Sequence, residues 1–142
     1  MARRPLLEEA LTRSAIGAFF DVYNALGFGF LEHVYILALE HELQARDHRV
    51  AREVAVRVLY KGHELTGQRL DMVVDERLVV ETKSTHVLHA SAPRQLHNYL
   101  RATRLPVGLL LHFGPEPKFY RLINQHDVPN DSMPADGNHR PR

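Results

Sequence analysis

From Leu6 to Leu26 the apolar residues recur three and four positions apart: Leu7, Ala10, Leu11, Ala15, Ala18, Phe19, Val22 and Leu26, with Ser14 in the same stripe. That spacing predicts an amphipathic helix. Gly27-Phe28-Gly29 breaks it, and a second helix is expected from about Leu31 to Arg46, its stripe running along Val34, Leu37, Ala38, Glu42 and Leu43. The period then changes to two. Val50 to Tyr60 alternates through Val54, Val56 and Val58, with Arg52 and Arg57 between, which predicts a strand; Lys61-Gly62-His63-Glu64 reads as the following turn. Two short apolar runs, Leu70–Val74 and Leu78–Lys83, form a hairpin around Asp75-Glu76-Arg77. Ser91 is placed to cap a helix from Pro93, in its first turn, to about Thr103. Pro106 to His112 is continuously apolar, as a strand buried on both faces is, and Lys118 to Ile123 reads as a final edge strand. The order α-α-β-β-β-α-β-β gives an α/β (α+β) domain around a small mixed sheet. Residues 1–5 read as a flexible N-terminus, 6–123 as one domain, and 124–142, polar and proline-bearing, as a disordered tail.

Composition narrows the classes of function. The chain has 142 residues, enough for one domain with a real core and too few for two. Its formal net charge is +1, so any nucleic-acid contact must come from a local basic patch rather than a general field. With no cysteine, disulfides, thiolate metal sites and a cysteine nucleophile are excluded. No apolar run approaches the ~18 residues of a membrane span, and the N-terminus lacks a signal-type apolar segment, so a cytoplasmic protein without membrane contact is expected.

Charge inside the hairpin QRLDMVVDERLVVETKS changes the picture most. Strand side chains alternate faces, so Glu81 and Lys83 point one way and Thr82 the other. Across a three-residue connection Asp71 lies opposite Glu81, on the face also carrying Val73 and Val79. A plain two-residue turn would put the two carboxylates on opposite faces. Two adjacent carboxylates repel, and burying them is unfavourable without a cation. Lys83 offsets one; a divalent metal offsets both. Such a cation polarises a phosphate and lowers the pKa of an attacking water, with Asp71, Glu81 and the Thr82 carbonyl as oxygen ligands and Lys83 stabilising charge at phosphorus. A solvated hairpin with a surface ion pair accounts for the same residues.

Two further clusters are weak alone. Glu32 and Tyr35 share a helix face, and Glu32 could be a third acid over the hairpin, hydrogen-bonded or flanked by Tyr35; the helix dipole also explains a glutamate there. Gln95 and Tyr99, four apart, could contact a phosphate, or could be an ordinary polar face. No histidine pair has zinc spacing on a credible helix, and His97 is the least unlikely accessory. Arg94, Arg101 and Arg104 could form a phosphate-binding stripe or a solvated face.

Together the segments GFGFLEHVY (27–35), YKGHEL (60–65), RLDMVV (69–74), VVETK (79–83), QLHNYL (95–100) and VGLLLHFG (107–114) resemble the GxxExxY protein family, a branch of the PD-(D/E)XK nuclease superfamily. The resemblance covers roughly residues 10 to 123. It implies a restriction-endonuclease-like αβββαβ core with an extra N-terminal helix, and a Mg²⁺-dependent site in which Mn²⁺ can substitute. By position it assigns Asp71, Glu81 and Lys83 as catalytic acid, second acid and lysine, Glu32 as the helix acid, and Gln95 and Tyr99 as an active-site and nucleic-acid support. The chain departs from the family pattern in four places: Phe28 stands for a proline between the glycines, Thr82 for an apolar residue, His112 for an asparagine before Phe-Gly, and Leu70 precedes the aspartate. Thr82 is expected to face away from the metal. The expectation is a nuclease acting on nucleic acid, DNA favoured, and open to homo-oligomerisation. The competing expectations are a non-catalytic nucleic-acid- or protein-binding module that keeps the fold, and a homodimeric interaction protein.

Overall fold

The computed structural model describes residues 8–124; the expected flexible N-terminus, and the expected tail beyond Asn124, lie outside the described residues. The elements are α1 (Glu9–Leu26), α2 (Glu32–Ala45), β1 (Val50–Tyr60), β2 (His63–Val74), β3 (Leu78–Lys83), α3 (Ser91–Thr103), β4 (Val107–Phe113) and β5 (Pro117–Ile123). One five-stranded sheet runs β1-β2-β3-β4-β5. Only β3 and β4 are parallel, joined through α3; the other neighbours are antiparallel.

Each strand's alternation splits the core in two. Met72, Val74, Leu78 and Val80, with Val107, Leu109, Leu111 and Phe113, pack under α1 and α2. Val73, Val79 and Leu110 pack with Leu96, Tyr99 and Leu100 of α3 on the other side. β4 is buried on both faces, so it reads as an unbroken apolar run. Helix α1 buries Leu11, Ala15, Ala18, Phe19 and Val22, close to the expected stripe. In α2 the buried residues are Tyr35, Leu39 and Leu43, at strict four-residue spacing, while Val34 and Leu37 are exposed. The sequence-based stripe was misplaced because α2 carries apolar side chains on more than one face.

Three boundaries also differ from expectation. The turn after β1 is only Lys61-Gly62, both left-handed at φ 51° and 82°, which suits a two-residue hairpin, and β2 begins at His63. Ser91 opens α3 instead of capping it; its hydroxyl meets His89 Nδ1 at 2.8 Å. Asn124, expected to start the tail, is buried, donating to the carbonyls of Leu100 (2.8 Å) and Leu105 (2.9 Å).

A hydrogen-bonded staple ties three segments at the closed end of the β2–β3 hairpin. His48 joins Ser14 of α1 through Nε2 (2.7 Å) and Asp75 through Nδ1 (2.7 Å), and Asp75 also accepts from the Arg49 amide (2.8 Å). These bonds, the backbone one first, hold the Asp75 carboxyl below its usual range despite the opposing effect of burial. The staple fixes the connection Asp75–Arg77, and with it the hairpin register that determines which residues face each other at the open end.

Candidate active site

β2 pairs with β3 through only three residue pairs: Val74 with Leu78, Val73 with Val79 and Met72 with Val80. One step further the strands part, and Asp71 and Glu81 face one another across the opening. Side chains replace the missing ladder bonds reciprocally. The Asp71 amide donates to Glu81 Oε2 (2.9 Å), and Asp71 Oδ2 accepts from the Thr82 amide (2.7 Å) and hydroxyl (3.0 Å). On the other side the β1–β2 ladder skips Glu53 and Asp71; Glu53 is left-handed (φ 53°), and its carbonyl accepts from Arg69 at 3.2 Å. This kink turns the outer half of the hairpin, so that Leu70 packs under α3 although Met72 packs under α1 and α2.

Glu32, the first residue of α2, closes the cluster from the α1/α2 side, the side to which Thr82 points. Its carboxyl is held above the usual range by burial first and Asp71 second, against Lys83 and the nearby Thr82 side chain. Glu81, 8% exposed, is pushed up to about 8 by burial, with Asp71 and Glu32 adding repulsion that the Asp71 amide and Lys83 only partly offset. Tyr99 reaches the same region from α3, its hydroxyl donating to Gln68 Oε1 on β2 at 3.2 Å; burial, then Glu81 and Asp71, raise its phenol.

The structure thus brings Asp71, Glu81, Lys83, Glu32, Thr82 and Tyr99 together. It takes Tyr35 out of that cluster. Tyr35 was expected beside Glu32, but it is fully buried against Phe113, with ring centroids 4.1 Å apart. Its hydroxyl donates to the Gly27 carbonyl (2.5 Å) and accepts from the Phe30 amide (3.2 Å). It pins the glycine loop that aims α2, because one helical turn along from Glu32 its side chain points into the core. Gln95 is exposed on α3. Thr82 was expected to face away, and its side chain does point toward α2, but Asp71 reaches across to its hydroxyl. His97 is partly buried, which lowers its pKa. Gln68 was missed, since no apolar period marks its segment, and plain alternation would put it on the face of Met72 and Val74; only the kink at Glu53 and Asp71 brings it to Tyr99's side of the sheet. His112, buried, meets the Thr85 carbonyl (2.9 Å) and hydroxyl (3.1 Å) through Nε2, tying the segment before α3 to β4.

Among the described residues no three His, Asp or Glu side chains converge as a ready metal cage. The donors nonetheless suit a hard divalent cation. They are all oxygens, and three carboxyls face the single cation Lys83; burial first, and repulsion from Asp71 second, hold Glu32 and Glu81 raised. The clasp engages Asp71 Oδ2 and Glu81 Oε2, and each carboxylate keeps a second oxygen as an acceptor.

The sequence profile of the PD-(D/E)XK nuclease superfamily matches residues 9–122. Among solved structures, the crystal structure of SSO0001 resembles the chain with a TM-score of 0.52 at 20% identity, over 82% of this chain and 58% of that one. That likeness concerns the fold, and the chain spans somewhat over half the length of that protein. No curated protein matches.

Proposed function

The chain belongs to the PD-(D/E)XK nuclease superfamily, and from that premise we propose that it hydrolyses phosphodiester bonds in nucleic acid, DNA favoured, with Mg²⁺ or Mn²⁺, as a member of the GxxExxY branch. The observation that carries this reading is the meeting of Asp71, Glu81, Glu32 and Lys83 where β2 and β3 part, with negative charge in excess. Asp71, Glu81 and Glu32 would hold the cation, with the Thr82 carbonyl as a further oxygen. When bound, it supplies Lewis acidity to the phosphate and acidifies the attacking water. Lys83 stabilises charge building on the phosphate oxygens. Tyr99, fixed by Gln68, and Gln95 on the same helix flank the incoming strand.

The test is incubation with single-stranded, duplex and branched DNA and with RNA, in Mg²⁺ or Mn²⁺. Metal-dependent cleavage is expected, with Asp71→Ala and Lys83→Ala each reducing it on the order of 10²-fold or more while folding is retained. Wild-type protein inert on every substrate removes the reading.

One observation favours a second reading, a binding module that keeps the fold without the chemistry. Asp71 and Glu81 are turned onto backbone N–H groups, and no cage of three ligands is formed. Calorimetry separates the two. Mg²⁺ binding by wild type and not by Asp71→Asn supports hydrolysis; nucleic-acid binding that needs no metal and survives Glu81→Gln supports the module.

A further inference from the structure

Beside the carboxylate cluster two large rings face solvent. Phe28 is 42% exposed and Phe30 48%, both in the short loop that joins α1 to α2. A loose loop does not account for them, because the backbone is pinned at three points. The Tyr35 hydroxyl holds the Gly27 carbonyl and the Phe30 amide, and the Ser84 hydroxyl donates to the Phe30 carbonyl at 2.7 Å. Phe30 stands nearly perpendicular to Tyr35, with centroids 6.1 Å apart, and keeps the rest of its surface open. Phe28 meets the exposed imidazole of His86 at 6.1 Å, tilted by 56°. Single exposed apolar side chains are ordinary. Two rings held out on one fixed loop form a patch that calls for an occupant.

Their place indicates which occupant. Ser84 follows Lys83, and Phe30 lies two residues before Glu32, so the loop borders the cluster at which a phosphate would react. The group beside a phosphate bound there is the nucleotide that carries it, and a flat aromatic face suits a base. His86, on the segment after β3, sets a second flat ring alongside Phe28. In a duplex the base faces are already covered by their neighbours, so exposed rings reach them only in a single strand or at an unpaired end. We propose that Phe28 and Phe30 stack on unpaired bases next to the reacting phosphate, so that the chain takes single-stranded nucleic acid or unpaired ends in preference to duplex interior. The strand's role as substrate rests on the hydrolytic reading; the affinity of the rings for bases does not. Every base has a π-face, so such stacking holds a strand without reading its sequence. Leu31, and then Val34 and Leu37 of α2, extend the exposed apolar surface, and a second copy of the chain seated on it is the competing outcome.

The test is fluorescence anisotropy with fluorescein-labelled single-stranded DNA, the matching blunt duplex and an abasic strand of equal length. It is run in EDTA and in Ca²⁺, which takes the same oxygen donors. Wild type is expected to bind the single strand about 10-fold more tightly than either other probe. Phe28→Ala and Phe30→Ala should each weaken single-strand binding roughly 5- to 50-fold, the loss for one stacked base. The slope of log K against log salt should stay as in wild type, because no phosphate contact is removed. Phe28→Trp should bind as wild type, whereas Phe28→Leu, apolar but without a π-face, should bind as the alanine variant does. Tyr120→Ala, an exposed ring on the edge strand β5, is the control expected to bind as wild type. Thermal melting checks folding; should an alanine variant melt early, the Trp and Leu variants at Phe28 carry the test. Alanine variants that bind as wild type, a leucine variant that binds as phenylalanine does, or a wild type that prefers duplex or binds no strand overturns the proposal. A dimer that the alanine variants dissociate in sedimentation, with strand affinity unchanged, overturns it too and gives the rings to a second copy. Wild-type hydrolysis of bis(p-nitrophenyl) phosphate with Mn²⁺ reports the chemistry separately. Ring-dependent strand binding by a protein that hydrolyses nothing upholds the stacking and removes the hydrolytic reading.

Discussion

Glu81 sits where burial and two neighbouring carboxylates act against its own ionisation. The folded state keeps a proton there up to about pH 8, while the unfolded chain gives it up near the ordinary value of 4.5. Between these values the native state binds more protons, so this residue's effect on stability worsens as pH rises from about 4.5 to 8. Glutamine cannot ionise, yet it keeps an oxygen for the Asp71 amide. Glu81→Gln is therefore expected to melt with wild type near pH 4.5 and above it at pH 8, as scanning calorimetry in EDTA would measure. Parallel profiles would mean that Glu81 ionises there without strain. Strand alternation alone was enough to place Asp71, Glu81 and Lys83 on one face. It also put Thr82 on the opposite face, as found, but could not show that Asp71 reaches past the face rule to its hydroxyl. Nor could it place Tyr35: helical spacing relates it to Glu32, but only tertiary packing shows that its hydroxyl closes the Gly27–Phe30 loop.

At the level of elements, α3 is held over the sheet by the fit of Leu96 against Gly108. A Cβ built on Gly108 would meet the Leu96 side chain at 3.0 to 3.2 Å, and Leu96 is 1% exposed with little room to retreat. Gly108→Val should thus overpack this contact and destabilise by about 1–3 kcal/mol, with Gly108→Ala between it and wild type. Urea unfolding measures the order; an alanine variant more stable than wild type would show that Leu96 can move aside. Legibility followed burial here too. β1, β3 and β4 read correctly because their side chains alternate against a helix or are covered on both faces. The first half of β2, from His63 to Arg69, did not, because it is mostly exposed, so no apolar period marks it. Those unread residues include Gln68, which holds Tyr99.

Across the whole molecule, a net charge of +1 contains a local excess of acid, the carboxyls that gather where β2 and β3 part. A small domain that keeps three mutually repelling acids together in its native state gains stability from whatever neutralises them. A cation that binds only the folded state stabilises by mass action, about 2.7 kcal/mol at a concentration one hundred times its Kd. For a chain of this length that corresponds to a rise in Tm of roughly 8 °C. Mg²⁺ is expected to raise the Tm of wild type by this order at pH 8, and to do so far less in Asp71→Asn, which loses a charge at the centre of the cluster. A sodium salt of equal ionic strength is the control, since screening alone relieves exposed charges and reaches buried ones weakly. A Tm that Mg²⁺ leaves unmoved, with and without oligonucleotide, would mean that Lys83 and the backbone amides suffice for the cluster. The domain would then be a binding module that keeps the fold without the chemistry.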